Sequence, residues 1–182
     1  EATLAVSIMP PGEGIVVELV EETELSGAAG DADRPTRYRA IVNCGRAVRD
    51  MTIEIRDEAG QILPDKTVGK VWCTGPSLMT GYYRDPESTQ ACMADGWLDT
   101  GDMGYLSDGY IYIVGRAKDM IIINGKNHWP QDIEWAVEQL PGFKSGDIAA
   151  FAITTQGGEE TPAVLVQCRT SDAAERAKLL ED

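Results

Sequence analysis

Two β-branched and aromatic runs, Tyr110-Ile111-Tyr112-Ile113-Val114 and Met120-Ile121-Ile122-Ile123, are separated by only five residues, Gly115-Arg116-Ala117-Lys118-Asp119. Such runs favour extended backbone. A connector this short between two strand signals reads as a loop or as a domain hinge. Upstream of it the signals are mostly those of strands and turns. Downstream they mix helix and strand. The chain therefore divides into a β-rich part, residues 1 to about 117, and a smaller α+β part, residues 118 to 182. The 65 residues from Lys118 onward are a marginal number for an independent core.

In the first part, Ile15 to Val20 is a short strand candidate. Met51, Ile53 and Ile55 alternate with Thr52, Glu54 and Arg56, the period-two pattern of a half-buried strand. Asp57-Glu58-Ala59-Gly60 supplies a turn, Pro64 interrupts a ladder for want of an N–H, and Val68 to Thr74 reads as another strand. Between Glu21 and Arg39, glycines, alanines and Pro35 lie among many charges, which reads as a loop or insertion. From Gly75 to Asp102 the chain is rich in turn residues. Within it a short helix is predicted from Pro86, capped by Asp85. Ser107-Asp108-Gly109 resembles a hairpin connection into Tyr110.

The second part carries the clearest helix, Pro130 to Leu140. Pro130 fits its first turn, Asp132 and Glu134 suit its positive end, and Pro141-Gly142 stops it. Ile133, Ala136, Val137 and Leu140 are predicted to form its core face. Two strands, Ile148 to Ile153 and Ala163 to Cys168, are expected around the turn at residues 156–160. A final helix begins near Ala173.

Charge narrows the partners. The net charge is -14; residues 13 to 33 hold seven acids and residues 85 to 115 hold six, neither stretch with a Lys or Arg. Such a surface repels phosphate backbones, so nucleic acid is not an expected partner. A nucleotide would need local donors, and the cationic candidates cluster at Arg116, Lys118 and Lys126. No apolar run approaches the ~20 residues of a membrane span, and the N-terminus lacks a basic segment ahead of its apolar residues. Cys44, Cys73, Cys92 and Cys168 are widely spaced, and with a single His they do not pattern as a zinc site. Reduced thiols and a cytoplasmic location are expected.

Two side chains, one upstream of the connector and one within it, have binding chemistry. Asp102 follows Thr100-Gly101, where glycine permits a tight turn and close approach of a ligand. Its carboxylate can accept hydrogen bonds from two neighbouring hydroxyls, or it can serve as a turn or cap residue. Arg116 offers a planar fork of donors suited to ribose or phosphate, or to a surface ion pair.

In order along the chain, Trp97-Leu98-Asp99-Thr100-Gly101-Asp102, Gly115-Arg116-Ala117-Lys118-Asp119 and Asn127-His128-Trp129-Pro130-Gln131-Asp132-Ile133-Glu134 resemble the nucleotide-ribose and hinge motifs of the adenylate-forming enzymes. The fatty acyl-AMP ligases are the nearest resemblance. Gly75-Pro76-Ser77-Leu78-Met79-Thr80-Gly81-Tyr82-Tyr83 and Pro86-Glu87-Ser88-Thr89 extend it, while Gly69-Lys70-Val71 departs from that family's Gly-Glu-aliphatic pattern. The resemblance implies an α+β chain. Residues 1–117 would be the β-rich, barrel-like end of the large adenylation domain, with a family-specific insertion at about 21–41. Residues 118–182 would be a truncated small C-terminal domain hinged to it. It implies Asp102 and Arg116 as nucleotide contacts, Lys118 as the pivot, and Glu1, at the start of Glu1-Ala2-Thr3-Leu4, as a Mg²⁺ ligand.

The activity implied is ATP- and Mg²⁺-dependent conversion of a fatty acid to acyl-AMP with release of pyrophosphate. Acyl transfer would follow to the phosphopantetheine thiol of a holo acyl-carrier protein, or of a carrier domain of a polyketide or nonribosomal peptide synthase. The upstream phosphate loop and the distal catalytic lysine of the family are not matched here, so these residues alone are expected to be inactive. A fatty acyl-CoA ligase and a non-catalytic interaction module built on the same fold are the alternatives.

Overall fold

The computed structural model of the chain describes residues 2, 4–21, 23, 25, 38–123, 126–155 and 160–167. The chain divides into two compact units, residues 1–118 and 119–182. The predicted insertion at 21–41, the final helix from Ala173, Cys168 and Glu1 fall wholly or largely outside the described residues.

Among its described residues the first unit forms one antiparallel sheet of eight strands that curls into an open half-barrel. Its strands are β1 (Ser7–Ile8), β2 (Val17–Glu21), β3 (Tyr38–Ala47), β4 (Thr52–Arg56), β5 (Gly69–Thr74), β6 (Met93–Ala94), β7 (Trp97–Ser107) and β8 (Tyr110–Arg116). The spatial order is β1-β3-β8-β7-β5-β4, with β2 on β3 and β6 on β7. Alternation decides what is buried. Val71 and Cys73 of β5 face inward, as does Ile55 of β4. Ile55, Val71 and Ile111 form one apolar cluster; Met51, Cys73 and Leu98 form another. A helix, α1 (Pro86–Cys92), starts behind Asp85, whose carboxylate accepts the Ser88 N–H at 2.9 Å.

Polar groups tie the β2 hairpin to the middle of this sheet. Tyr105 of β7 and Tyr112 of β8 stack with ring centroids 4.9 Å apart. The Tyr105 hydroxyl donates to Glu18 of β2 at 3.0 Å, and Lys66 donates to the other oxygen of the same carboxylate at 3.0 Å. Asn43 of β3 donates to the Tyr112 hydroxyl at 3.1 Å while its own carbonyl accepts the Gly45 N–H at 2.7 Å. Buried hydroxyl and amide groups are thus paired, as burial requires.

The turn-rich reading of residues 75–102 is corrected at its end. Trp97 to Ser107 is a continuous strand of 11 residues. Thr100-Gly101-Asp102 carries turn chemistry, yet the sheet absorbs it as an irregularity of register.

Among its described residues the second unit holds two hairpins and a helix. β9 (Ile121–Ile123) pairs with β10 (Lys126–His128), and β11 (Ile148–Thr154) pairs with β12 (Glu160–Val166). Between them lies α2 (Pro130–Glu138), with proline at its start as predicted. The face it turns inward differs from the expected one. Ile133 and Val137 are half-buried, whereas Ala136 is exposed and Leu140 is 41% exposed. The reason lies one residue along. Glu134 accepts the Ala150 N–H at 2.9 Å and Glu138 accepts the Gly146 N–H at 2.6 Å. These two acids, one turn apart, rotate the helix so that the side bearing 133, 134, 137 and 138 meets β11 and the loop before it.

Candidate functional site

β7 and β8 form a hairpin closed by Asp108-Gly109, both with positive φ (52° and 80°), the geometry that suits the right-handed twist of the strands. From that turn the ladder runs Ser107↔Tyr110, Leu106↔Ile111, Tyr105↔Tyr112 and Gly104↔Ile113. It then shifts by one residue at Val114 and resumes as Met103↔Gly115 and Asp102↔Arg116. Asp102 and Arg116 are therefore directly opposite one another at the open end of the hairpin. Their side chains form an ion pair, Arg116 Nε to Asp102 Oδ1 at 3.1 Å.

Local backbone explains why Asp102 sits where it does. On its other side β7 pairs with β5 as Trp72↔Asp99 and Lys70↔Met103, so three residues, Thr100, Gly101 and Asp102, stand opposite Val71 alone. Bulges of this kind bend a strand and re-aim its side chains. Gly101 has φ +75°, a conformation that a side chain at that position would strain. Gly104 is required for space: a Cβ there would collide with the Tyr112 carbonyl across the ladder.

The pair is accessible but not loose. The Arg116 side chain is 54% exposed and that of Asp102 is 29% exposed. An ion pair this exposed contributes little to stability, about 0–1 kcal/mol, because water screens it. Its fixed orientation is of more consequence: one carboxylate oxygen is engaged, and the guanidinium plane is set beside it. Immediately beyond Arg116 the chain makes a single 3-10 turn, Ala117–Asp119, on which Lys118 is exposed. The boundary between the two compact units falls after Lys118.

In the third of the resembling motifs, His128 lies on β10 opposite Ile121, half-buried, and Trp129 is 3% exposed at the start of α2. The indole is a packed, buried side chain. Glu1 lies outside the described residues, as does the side chain of Lys126. Among the described residues no three His, Cys, Asp or Glu side chains gather as a metal-binding group. The described residues thus offer no ligand set for Mg²⁺. No helix among them is long and apolar enough to cross a membrane.

The chain has counterparts among known proteins. The family model for AMP-binding enzymes matches residues 15–83. A protein of Caulobacter vibrioides, provisionally named an acyl-CoA synthetase, is 46% identical over 186 residues, covering 100% of this chain and 32% of its own length. The medium-chain-fatty-acid–acyl-carrier-protein ligase JamA of Moorena producens is 35% identical over 175 residues, covering 87% of this chain and 29% of its own. A solved structure from work on the fatty acyl-adenylate ligases of E. coli and L. pneumophila superposes with a TM-score of 0.82 at 45% identity, covering 98% of this chain and 32% of that one. The chain thus spans about a third of the length of the curated relatives it matches. It belongs to the adenylate-forming, acyl-CoA synthetase-like enzymes and is related within them to the fatty-acid ligases.

Proposed function

We propose that the parent protein of this chain activates a fatty acid with ATP and hands the acyl group to an acyl-carrier protein. The observation that carries the reading is the Asp102–Arg116 pair, fixed at 3.1 Å at the open end of the β7–β8 hairpin, in a chain of this family. With Oδ1 turned to Arg116, the second Asp102 oxygen is the acceptor for the ribose hydroxyls, and the outer guanidinium nitrogens serve the ribose or the α-phosphate. Neither group transfers a proton. Their work is to hold the nucleotide so that its α-phosphorus faces the carboxylate, the kind of positioning on which phosphoryl transfer chiefly depends.

The chemistry is two displacements. A carboxylate oxygen of the fatty acid attacks the α-phosphorus, and the bond to pyrophosphate breaks. The phosphopantetheine thiol, having lost its proton, then attacks the acyl carbon, and AMP leaves with the electron pair of the acyl C–O bond of the mixed anhydride. ATP is the co-substrate, with Mg²⁺ as its counter-ion; the contribution of Glu1 to that ion belongs to the parent as a whole. Carrier transfer draws support from the similarity to JamA, a carrier-protein ligase by name. The Caulobacter vibrioides relative favours a second reading, transfer to coenzyme A. A cytoplasmic location, where ATP and carrier proteins are present, completes the proposal.

Mass spectrometry of full-length parent incubated with ATP, Mg²⁺ and fatty acids of graded length tests the first step. Acyl-AMP is the expected product, and its absence across short, medium and long chains from a folded enzyme would sink the proposal. Single-turnover transfer from enzyme-bound acyl-AMP then decides the acceptor. Faster discharge by free coenzyme A than by the holo carrier would select the second reading.

A further inference from the structure

Asp102 lies between two irregularities of the sheet, and irregular pairing is a poor way to hold a side chain still. A strand that slips by one residue turns every side chain to the opposite face. On the β5 side, three residues of β7 stand opposite Val71. On the β8 side, Val114 is the additional residue between Gly104↔Ile113 and Met103↔Gly115. Either bulge could relax by a change of register, and each would carry Asp102 or Arg116 away from the other.

Both bulges are clasped by side chains. Thr100 Oγ1 donates to the carbonyl of Val71 at 2.9 Å, the residue opposite the first bulge. The same oxygen accepts the backbone N–H of Asp102 at 3.1 Å. One hydroxyl therefore joins the neighbouring strand to the residue whose carboxylate is in question. Asp99 closes the turn from the other side, its carboxylate accepting the Gly101 N–H at 2.9 Å. At the second bulge, Arg39 Nη2 donates to the carbonyl of Val114 at 2.9 Å. Arg39 is on β3, which pairs with β8 at Asn43↔Tyr112 and Arg46↔Tyr110. Towards residue 39 that ladder gives way, and the long guanidinium stem spans the gap. Val114 is 2% exposed, so its carbonyl would be costly to leave without a donor.

We infer that Thr100 and Arg39 are positioning residues for the nucleotide pair: each pins one bulge, and together they fix Asp102 opposite Arg116. The inference rests on the reading of that pair as the ribose site. It assigns a role to two side chains on different strands, one of them 63 residues upstream of Asp102 in the sequence. A merely structural role would lower stability without altering which nucleotide the enzyme prefers. A positioning role alters the preference.

The test is made on the full-length parent, comparing kcat/KM for acyl-AMP formation with ATP and with 2′,3′-dideoxy-ATP. The parent is expected to prefer ATP by about tenfold or more, the value of one or more good hydrogen bonds to a charged group. Thr100→Val keeps the shape and removes the hydroxyl; it is expected to narrow that preference about fivefold. Thr100→Ser restores the hydroxyl and is expected to restore the preference. Arg39→Met is expected to narrow it from the opposite bulge, so that if one variant does not fold the other still decides. Circular dichroism checks the fold of each. A parent that does not discriminate between the two nucleotides removes the ribose reading itself. A parent that discriminates, with folded Thr100→Val and Arg39→Met variants that discriminate equally well, overturns the positioning inference and leaves the ribose reading standing.

Discussion

Asp102 and Arg116 are partners before any nucleotide arrives, and that sets what their loss would do. Removing Asp102 leaves Arg116 without its acceptor at 3.1 Å and removes the proposed ribose contact at one stroke. Charge-assisted hydrogen bonds contribute about 1.5–3 kcal/mol each. Asp102→Ala in the full-length parent is therefore expected to slow adenylate formation by about 10- to 100-fold. The measurement is single-turnover acyl-AMP formation, and an unchanged rate would reject the contact. The same scale separates the cysteines. Burial pushes the Cys73 thiol up and leaves it 0% exposed, whereas Cys44 lies on the exposed side of β3. Since the thiolate is the reactive form, a thiol-alkylating reagent at neutral pH is expected to label Cys44 in the folded protein and spare Cys73. Peptide mapping reads the outcome directly, and equal labelling of the two would contradict the packing of β5.

At the scale of elements, α1 is the case that most depends on its ends. Seven residues are too few to persist on helix propensity alone. The Asp85 carboxylate takes the Ser88 N–H, Pro86 begins the helix, and Glu87 lies in its first turn. The hydrogen bond from the Ser88 backbone holds the Asp85 carboxyl below its usual range. A lowered folded pKa means that the cap stabilises fully above the unfolded value, about 3.9, and is lost as pH falls through the lower folded one. The exchange protection of the Ser88 amide is expected to drop across that acidic window. In Asp85→Asn it should be insensitive to pH there, because the amide oxygen still accepts but no longer titrates. Protection that falls equally in both proteins would remove the cap from the account. This helix was legible in the sequence because its signals are local: Asp, then Pro, then Glu. The β8 and β9 strands and the start of α2 were legible for the same reason. β7 was not, because Asp99, Thr100 and Gly101 are turn formers by composition and become strand only through hydrogen bonds to β5. Nor was β3, whose Asn43-Cys44-Gly45 interrupts any alternation. Asn43 is buried there by its bond to the Tyr112 hydroxyl, 69 residues away. The candidate pair was visible as two motifs. That Asp102 and Arg116 are cross-strand neighbours depended on a one-residue shift that no local pattern encodes.

For the whole molecule, the position of the unit boundary after Lys118 matters because the proposed activity has two steps with different demands. The first brings a carboxylate to the α-phosphorus. The second must admit a thiol to the acyl carbon after pyrophosphate has left the α-phosphorus. One arrangement of catalytic groups serves both poorly, and rotation about a short connector is an economical way to exchange them. In this chain the connector is the single turn Ala117–Asp119, and Lys118 at its centre is exposed. Proline at 118 fixes φ near −65° and removes the backbone N–H. The substitution keeps a φ that a 3-10 turn accepts at 118, while its ring crowds the helical backbone of Ala117 before it. What it restricts is the excursion to any other φ. Lys118→Pro in the full-length parent is thus expected to slow one half-reaction by about tenfold or more relative to the other. Lys118→Ala, which removes the side chain and keeps the rotation, is the control, and both half-reactions should proceed in it at comparable fractions of the parent rate. The two rates are measured separately, by quenched acyl-AMP formation and by discharge of preformed acyl-AMP onto the carrier. Equal losses in both steps for the proline variant, or an alanine variant as lopsided as the proline one, would place the pivot elsewhere in the chain.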